Sequence, residues 1–338
     1  MHVLSVLWKC AEAGFSAGAN AGLNGVQYYL SPSRGEASRL FGGGLGEGLS
    51  MDIIIYGVIN SVSLALMSLG FALVYGVSRL PNFAHGALYV MAGYIAWLLL
   101  NRLNLNYWAA VGTSLVATGI IGAAMYQLVL VRVRGMPISE IIASYALGLA
   151  ILEGLRWGGL KGGTFILPPF VEGGTDLFGV AVDYQRLVVI GVGVMLVLGL
   201  WLFVNGTRLG LALKGMAQDE RAALTLGIDS DRMAVVAMAL GSMLAGAAAL
   251  VLLPLGSIVV EAGYNVLIMA VAVCIVGGLG SWTGAILAAF IIGFAQILTM
   301  AYLGAHYQIV VALAAIIFTL ILRPSGLFGR QKELEERV

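Results

Sequence analysis

The sequence predicts an all-α, polytopic transmembrane helix bundle of about eight to ten spans. Three observations carry that expectation. Of the 338 residues, 60% are hydrophobic and 10% charged, with a mean hydropathy of +0.97. A soluble domain carries about 25% charged residues to solvate its surface, so lipid must be the main solvent here. Apolar stretches then recur from Ile53 to Leu322, most of them near the roughly 20 residues that a bilayer-spanning helix needs. Glycine is abundant at 47 residues, against a usual ~7%. With few charges and no Gly-X-Y period, this excludes collagen and solvated linkers and points to closely packed membrane helices with breaks in them.

Residues 1–50 fit no span. Lys9, Glu12, Asn20 and Asn24 interrupt their apolar stretch, and Gly42, Gly43, Gly44, Gly46 and Gly48 crowd the approach to Met51. The continuous apolar core of a signal peptide is lacking. The segment reads as an N-terminal extension, either an interfacial helix or sequence upstream of a true start at Met51. Nine apolar spans follow within a membrane domain of residues 51–330. They are Ile53–Tyr75, Gly86–Leu100, Trp108–Val131, Ile138–Arg156, Leu187–Asn205, Met233–Leu253, Val266–Val276, Thr283–Leu303 and Gln308–Leu322. Gly86–Leu100 and Val266–Val276 are short and adjoin Gly- or Pro-rich breaks. Each must recruit flanking residues or end inside the protein, because irregular backbone at membrane depth survives only where protein or a water-filled cavity satisfies it. Residues 331–338 form a charged tail.

Orientation follows from Lys and Arg in short loops. Arg79, Arg132, Arg134, Arg208, Lys214, Arg221, Arg232, Arg323, Arg330, Lys332 and Arg337 fall on one side of nine alternating spans, against Arg102, Arg156, Lys161 and Arg186 on the other. That excess of 11 over 4 makes the first side cytoplasmic and the C-terminus internal. The outer connector Trp157–Arg186 holds Gly158, Gly159, Gly162, Gly163, Pro168, Pro169, Gly173 and Gly174. It is expected to be irregular, as a docking rim or a plain connector.

Several function classes drop out. A net charge of +1 gives no electrostatic case for nucleic acid. Cys10 and Cys274 lie far apart with no C-x-x-C or Cys/His cluster, so neither a structural disulfide nor a metal site is expected. No G-x-x-x-x-G-K-[ST], H-E-x-x-H or G-x-S-x-G occurs, and no catalytic group or directly bound cofactor is expected. Ionisable residues in the spans are limited to His85, Glu140, Glu153 and Arg156. Proton- and ion-driven carriers keep a titratable relay at depth, although sodium coupling through carbonyls and hydroxyls stays open. If transport is active, another subunit must supply the power.

The loop Thr207–Arg232 is the most informative segment. Asp219 can cap a short helix and Gly227 can end it. Ala222, Ala223, Leu224 and Leu226 offer a small apolar surface beside Asp219, Glu220 and Arg221. Asp229 then caps the next span, with Ser230 and Asp231 in its first turn. A short helix fixed between such caps is either a lever that fits a groove on a cytoplasmic partner or an ordinary amphipathic loop.

That stretch resembles the coupling loop of ABC importer permeases, whose signature reads E-A-A-x3-G. Here Arg221–Gly227 reads R-A-A-x3-G, with the acidic residue one place earlier at Glu220. Leu73–Leu88 contains V-Y-G followed by N-F-A-H-G, Gly277–Ala285 reads G-G-L-G-S-W-T-G-A, and Arg323–Gly329 reads R-P-S-G-L-F-G. In that order the four segments are similar to the LivH/LivM-type permeases of branched-chain amino acid ABC importers. The resemblance implies a larger-bundle (type II) importer fold in a bacterial-type inner membrane, with alternating access. It implies a substrate-binding protein outside, two cytoplasmic ATPases that use ATP, and a second permease, LivM-type or another copy. Gln218, Asp219, Glu220, Arg221, Ala222, Ala223 and Gly227 would couple to the ATPases. The implied cargo is a branched-chain or other hydrophobic amino acid. Urea or short amides remain alternatives within the family, and an ion-coupled carrier remains one outside it.

The remaining candidates are weaker. Pro81 and Gly86 are expected to break the helix near the membrane surface, leaving Asn82 and His85 to satisfy freed backbone groups or to line a gate. Asn60, Ser61, Asn265 and Gln296 (with Ser63 and Thr299) either join helices or line a path. Gly280 and Gly284 form a G-x-x-x-G at a tight break, read as close packing or as a hinge.

Overall fold

The computed structural model describes residues 47–79, 81–160 and 165–329. The extension up to residue 46, Lys161 and the 331–338 tail therefore lie outside the described residues. Helix α1 (Glu47–Ser78) is followed by α2 (His85–Asn101) and α3 (Tyr107–Met125). The last of these continues through a π-helical turn at Tyr126–Leu130 and a final turn at Val131–Val133. Next come α4 (Pro137–Gly158), the strands β1 (Gly174–Leu177) and β2 (Val180–Asp183), α5 (Tyr184–Gly206), α6 (Arg208–Gln218) and α7 (Glu220–Thr225). Helices α8 (Ser230–Leu252), α9 (Val260–Gly277), α10 (Trp282–Tyr302) and α11 (Gln308–Leu322) complete the chain.

The protein is an all-α, multi-pass membrane bundle. Among the described residues, seven helices are long and apolar enough to cross a membrane. The predicted spans Gly86–Leu100 and Gln308–Leu322 stay short, as helices of 17 and 15 residues. The predicted Val266–Val276 instead grows to Val260–Gly277. Its polar leading residues find partners: Glu261 pairs with Arg156 of α4 at 2.9 Å, and the Asn265 amide donates to the Glu261 carbonyl at 3.2 Å.

Helix α1 is the axis, packed by α5, α8, α9 and α10 and buried along nearly its whole length. Small residues make this possible. Gly241 and Gly246 lie on the buried face of α8 beside Ala245, Ala248 and Ala249. A Cβ on Gly241 would come within 2.8 Å of the Gly70 carbonyl of α1. Such surfaces let backbones approach where lipid gives no hydrophobic drive for association. Helices α4 and α5 bury the smallest shares of their length, and their apolar outer faces suit lipid.

Gly86 corrects the sequence expectation. It does not break a helix: it lies in the first turn of α2, where its missing Cβ admits the Gly263 carbonyl of α9. Nor is this region at the end of α1. The chain leaves α1 after Ser78, turns at Arg79 (φ 54°) and runs back, so that His85 Nε2 meets the Met67 carbonyl at 2.8 Å. Met67 lies about 16 Å along α1 from Ser78 at 1.5 Å per residue. Helix α2 therefore starts at depth, which accounts for its shortness.

Candidate functional site

Three of the four sequence motifs, far apart in the chain, line one cavity of about 340 Å³, together with α6, which ends just ahead of the fourth. Leu73, Gly76 and Val77 of α1 line one wall, and Leu213, Lys214, Ala217 and Gln218 of α6 face them. Leu200 and Val204 of α5, Leu279–Thr283 at the turn between α9 and α10, and Phe328 complete it. Gly280 takes φ +85° in that turn, a conformation costly for a side chain with a Cβ, and its carbonyl lies 3.3 Å from where a Gly76 Cβ would be. Ser281 caps α10 by accepting the Gly284 N–H at 3.1 Å. Gly284 does not share a helical stripe with Gly280. It abuts Gly277 across the turn, so the close approach is between α9 and α10. The C-terminal motif clips onto the same place: Leu327 N–H donates to the Val276 carbonyl at 2.9 Å and Phe328 N–H to the Gly277 carbonyl at 3.0 Å.

The Thr207–Arg232 segment is an elbow of two helices. Thr207 caps α6 by accepting the Gly210 N–H at 2.9 Å, and α6 buries Gly210, Leu213 and Met216. Asp219 alone separates α6 from α7. In extended backbone it accepts the Ala222 N–H at 3.0 Å. After α7, Gly227 (φ +80°) supplies the left-handed turn that ends such a helix, and Asp229 caps α8 from the Asp231 and Arg232 N–H groups. The anticipated apolar surface is divided in two. Ala223 turns inward at 3% exposure, into a cluster with Leu213, Met216 and Ala237, while Leu224 and Leu226 are 49% and 81% exposed. Arg221 and Ala222 also face outward, as does Gln218.

Glu220 turns inward too. Its carboxylate accepts Arg134 Nη2 at 3.1 Å and the Ser230 hydroxyl at 2.9 Å. Arg134 also donates to Asp231 and Ser230, and the Tyr126 hydroxyl donates to Asp231 at 3.2 Å. Burial pulls the Arg134 guanidinium down, but Tyr126, Asp231 and Glu220 outweigh that and hold it above its ordinary value. This network ties α7, α8 and the π-helical end of α3 together. In the sequence Arg134 stands out only as a loop charge, since nothing in the local pattern links it to residues about 90 positions away.

The pathway candidates do not form one cluster. Asn60 donates to the Gly293 carbonyl at 3.0 Å and to Gln296 Oε1 at 3.1 Å, and Gln296 donates to the Gln308 carbonyl at 3.1 Å. Ser61 bonds the Gly57 carbonyl at 2.7 Å, as Ser63 bonds the Ile59 carbonyl at 2.8 Å and Thr299 the Ala295 carbonyl at 2.8 Å. Asn82 accepts the Ala84 N–H at 3.1 Å beside His85. Asn265 stands apart on α9. The span-end charges are locally paired: Arg156 with Glu153 and Glu261, and Glu140 with the Gly135 N–H at 2.6 Å. Among the described residues no cluster of His, Cys, Asp and Glu could hold a metal ion.

The profile of the family described as branched-chain amino acid transport system / permease component matches residues 53–322. The chain belongs to that family. Within it, this permease is 30% identical over 291 residues to BraD, a high-affinity branched-chain amino acid transport system permease protein of Pseudomonas aeruginosa, covering 82% of this chain and 95% of that one. It is 29% identical to the Escherichia coli protein LivH, over 81% of this chain and 94% of that one. A solved chain titled PsaBC from Streptococcus pneumoniae in complex with Fab aligns at 13% identity with a TM-score of 0.48, covering 86% of this permease and all of that chain. The cavity-lining residues of α1, α5, α6, α10 and the turn before α10 all fall inside the matched region, and Phe328 lies just beyond it.

Proposed function

We propose that the protein is the membrane permease subunit of an ATP-driven importer for branched-chain or other hydrophobic amino acids, moving its cargo by alternating access. Family membership supports the class, and the names of the relatives support the cargo. The observation that carries the mechanism is α7. It is a six-residue helix capped at both ends, seated inward through Ala223 and Glu220, with Leu224 and Leu226 exposed on the basic end of the bundle. An apolar tip on a fixed helix suits insertion into a groove on another protein. A cytoplasmic ATPase is the partner that needs such a contact. Two ATPase subunits close on ATP, α7 moves with them, and the α6 elbow carries the motion to the turn between α9 and α10 at the cavity.

In this reading the end bearing α6 and α7 is cytoplasmic, and so is the C-terminus. A second permease, LivM-type or another copy, completes the pathway in a larger-bundle arrangement. A substrate-binding protein delivers cargo to the opposite face, and ATP is bound only by the ATPases. Asn60, Gln296 and His85 fix helices around the path.

The test is reconstitution of the permease with its ATPases and binding protein, reading ATP hydrolysis as leucine, isoleucine, valine, other amino acids and urea are added. Stimulation by the hydrophobic amino acids is expected. Uptake driven by an ion gradient with no ATPase present would sink the reading.

A further inference from the structure

At the end of the bundle opposite the cavity, β1 and β2 form an antiparallel hairpin within the connector that the sequence suggested to be irregular. Its base is rigid. Val180 and Val182 are buried in a cluster with Tyr56, Ile59, Ile297 and Met300. The Tyr56 hydroxyl donates to the Ala181 carbonyl at 2.9 Å, and the Tyr184 N–H to the Gly173 carbonyl at 3.0 Å. The Leu177↔Val180 pairing leaves a two-residue turn, Phe178–Gly179, in which both residues have positive φ (55° and 84°). That is the primed turn in which Asn, Asp or Gly is favoured at the first position. Phenylalanine there is strained, and its side chain is 82% exposed. Strained backbone and a hydrated aromatic ring are both unfavourable, and among the described residues little packing covers the ring.

The surroundings specify what covers the ring. Asp176 is exposed beside the turn, and Glu172 and Asp183 are exposed at the base of the same hairpin. The chain has no Lys or Arg between Phe165 and Asp183, and the basic group that follows, Arg186, lies beneath the hairpin 3.6 Å from Asp183 and over the Tyr56 ring. A lipid surface suits this tip poorly. Interfacial anchors are Trp and Tyr with Lys or Arg, and anionic headgroups repel carboxylates. An aromatic anchor on a preorganised platform is what a protein interface uses as a hot spot.

We propose that the Phe178 tip docks a soluble protein that offers an apolar socket bordered by Lys or Arg. This rests on the importer reading, under which that protein is the substrate-binding protein and the hairpin is its outer-face anchor.

The test uses the whole complex in phosphatidylcholine nanodiscs. The purified binding protein is titrated, and the concentration giving half-maximal stimulation of ATP hydrolysis is read. Phe178→Asn removes the ring but gives the turn a residue it favours, so loss of fold is not at issue. It should raise the half-maximal concentration about tenfold, as expected for a hot-spot residue, whereas Phe178→Tyr should stay within about twofold. Added salt should weaken the wild-type response, because steering between charged faces is screened. An unchanged titration with Phe178→Asn overturns the docking proposal and leaves the importer reading standing. A wild-type complex that no binding protein stimulates overturns both. Phe178→Trp fluorescence quenched by brominated lipid without binding protein would place the ring in the bilayer and overturn the docking proposal alone.

Discussion

Arg134 and Glu220 lie 3.1 Å apart, so the acidic residue of the proposed coupling segment faces its own bundle. The shift of that residue one place ahead of the family signature thereby has a structural meaning. Glu220 anchors α7, and the outward contacts are left to Leu224, Leu226 and the side chains around them.

Arg134→Gln should uncouple the protein more than it destabilises it. The pair is about a third exposed, so its worth to stability is about 1 kcal/mol. Without it, α7 loses its tie to the end of α3. The expected outcome is a roughly tenfold drop in substrate-stimulated ATP hydrolysis, about 1.4 kcal/mol of coupling, with a small change in thermal midpoint. Arg134→Lys should restore little, because one ammonium cannot span Glu220, Ser230 and Asp231 as a guanidinium fork does. Full stimulation in Arg134→Gln would remove the network from the mechanism.

Leu226 and Ala223 sit three residues apart and should respond in opposite ways. Leu226→Ser changes an exposed side chain, so folding stability should move by no more than about 0.5 kcal/mol, while ATPase attachment weakens about tenfold. Ala223→Asp places a carboxylate in the cluster beneath α7 and should cost about 3 kcal/mol or more, lowering the yield of folded protein. Co-purification of the ATPases, together with thermal unfolding in detergent, separates the two. Equal attachment by Leu226→Ser and wild type would reject α7 as the docking tip.

Gly86→Ala should lower the thermal midpoint and Gly112→Ala should not. A Cβ at Gly86 runs into the Gly263 carbonyl, whereas one at Gly112 meets nothing within 4 Å. Overpacking of this kind costs about 1–3 kcal/mol. Equal midpoints for the two variants would remove Gly86 from the α2–α9 contact.

Asn60→Ala and Gln296→Ala should be non-additive. Their direct hydrogen bond, 3.1 Å in the buried α1–α10 contact, predicts a coupling energy of about 0.6 kcal/mol and at most about 1.7 in a double-mutant cycle read by thermal unfolding. Additive losses accompanied by a changed half-saturating substrate concentration would instead put these two side chains on the path.

The spans were legible because hydrophobicity and length are local properties, and so were the caps at Asp219 and Asp229. The hairpin was half legible. Thr175, Leu177, Val180 and Val182 alternate around Phe178–Gly179, but the neighbouring glycines and prolines masked that period. Helix α6 is not evident in the sequence because its buried residues Gly210, Leu213 and Met216 are too sparse to stand out. The inward turn of Ala223, the return that carries His85 back to Met67, and the meeting of Gly76, Gln218, Gly280 and Phe328 depend on packing between distant segments. No local window contains that information.

The contact between Asn60 and Gln296 also has a consequence for biosynthesis. The two residues lie 236 positions apart, and a ribosome working at about 5–20 residues per second needs on the order of 10–50 s to bridge them. Throughout that interval the axial helix is in the translocon or the bilayer with the Asn60 amide awaiting its partners on α10. Its apolar composition keeps it inserted during the wait. This early span is thus among the last to be completed, and premature release of the nascent chain would leave a membrane-inserted helix whose polar side chains are open to other partners.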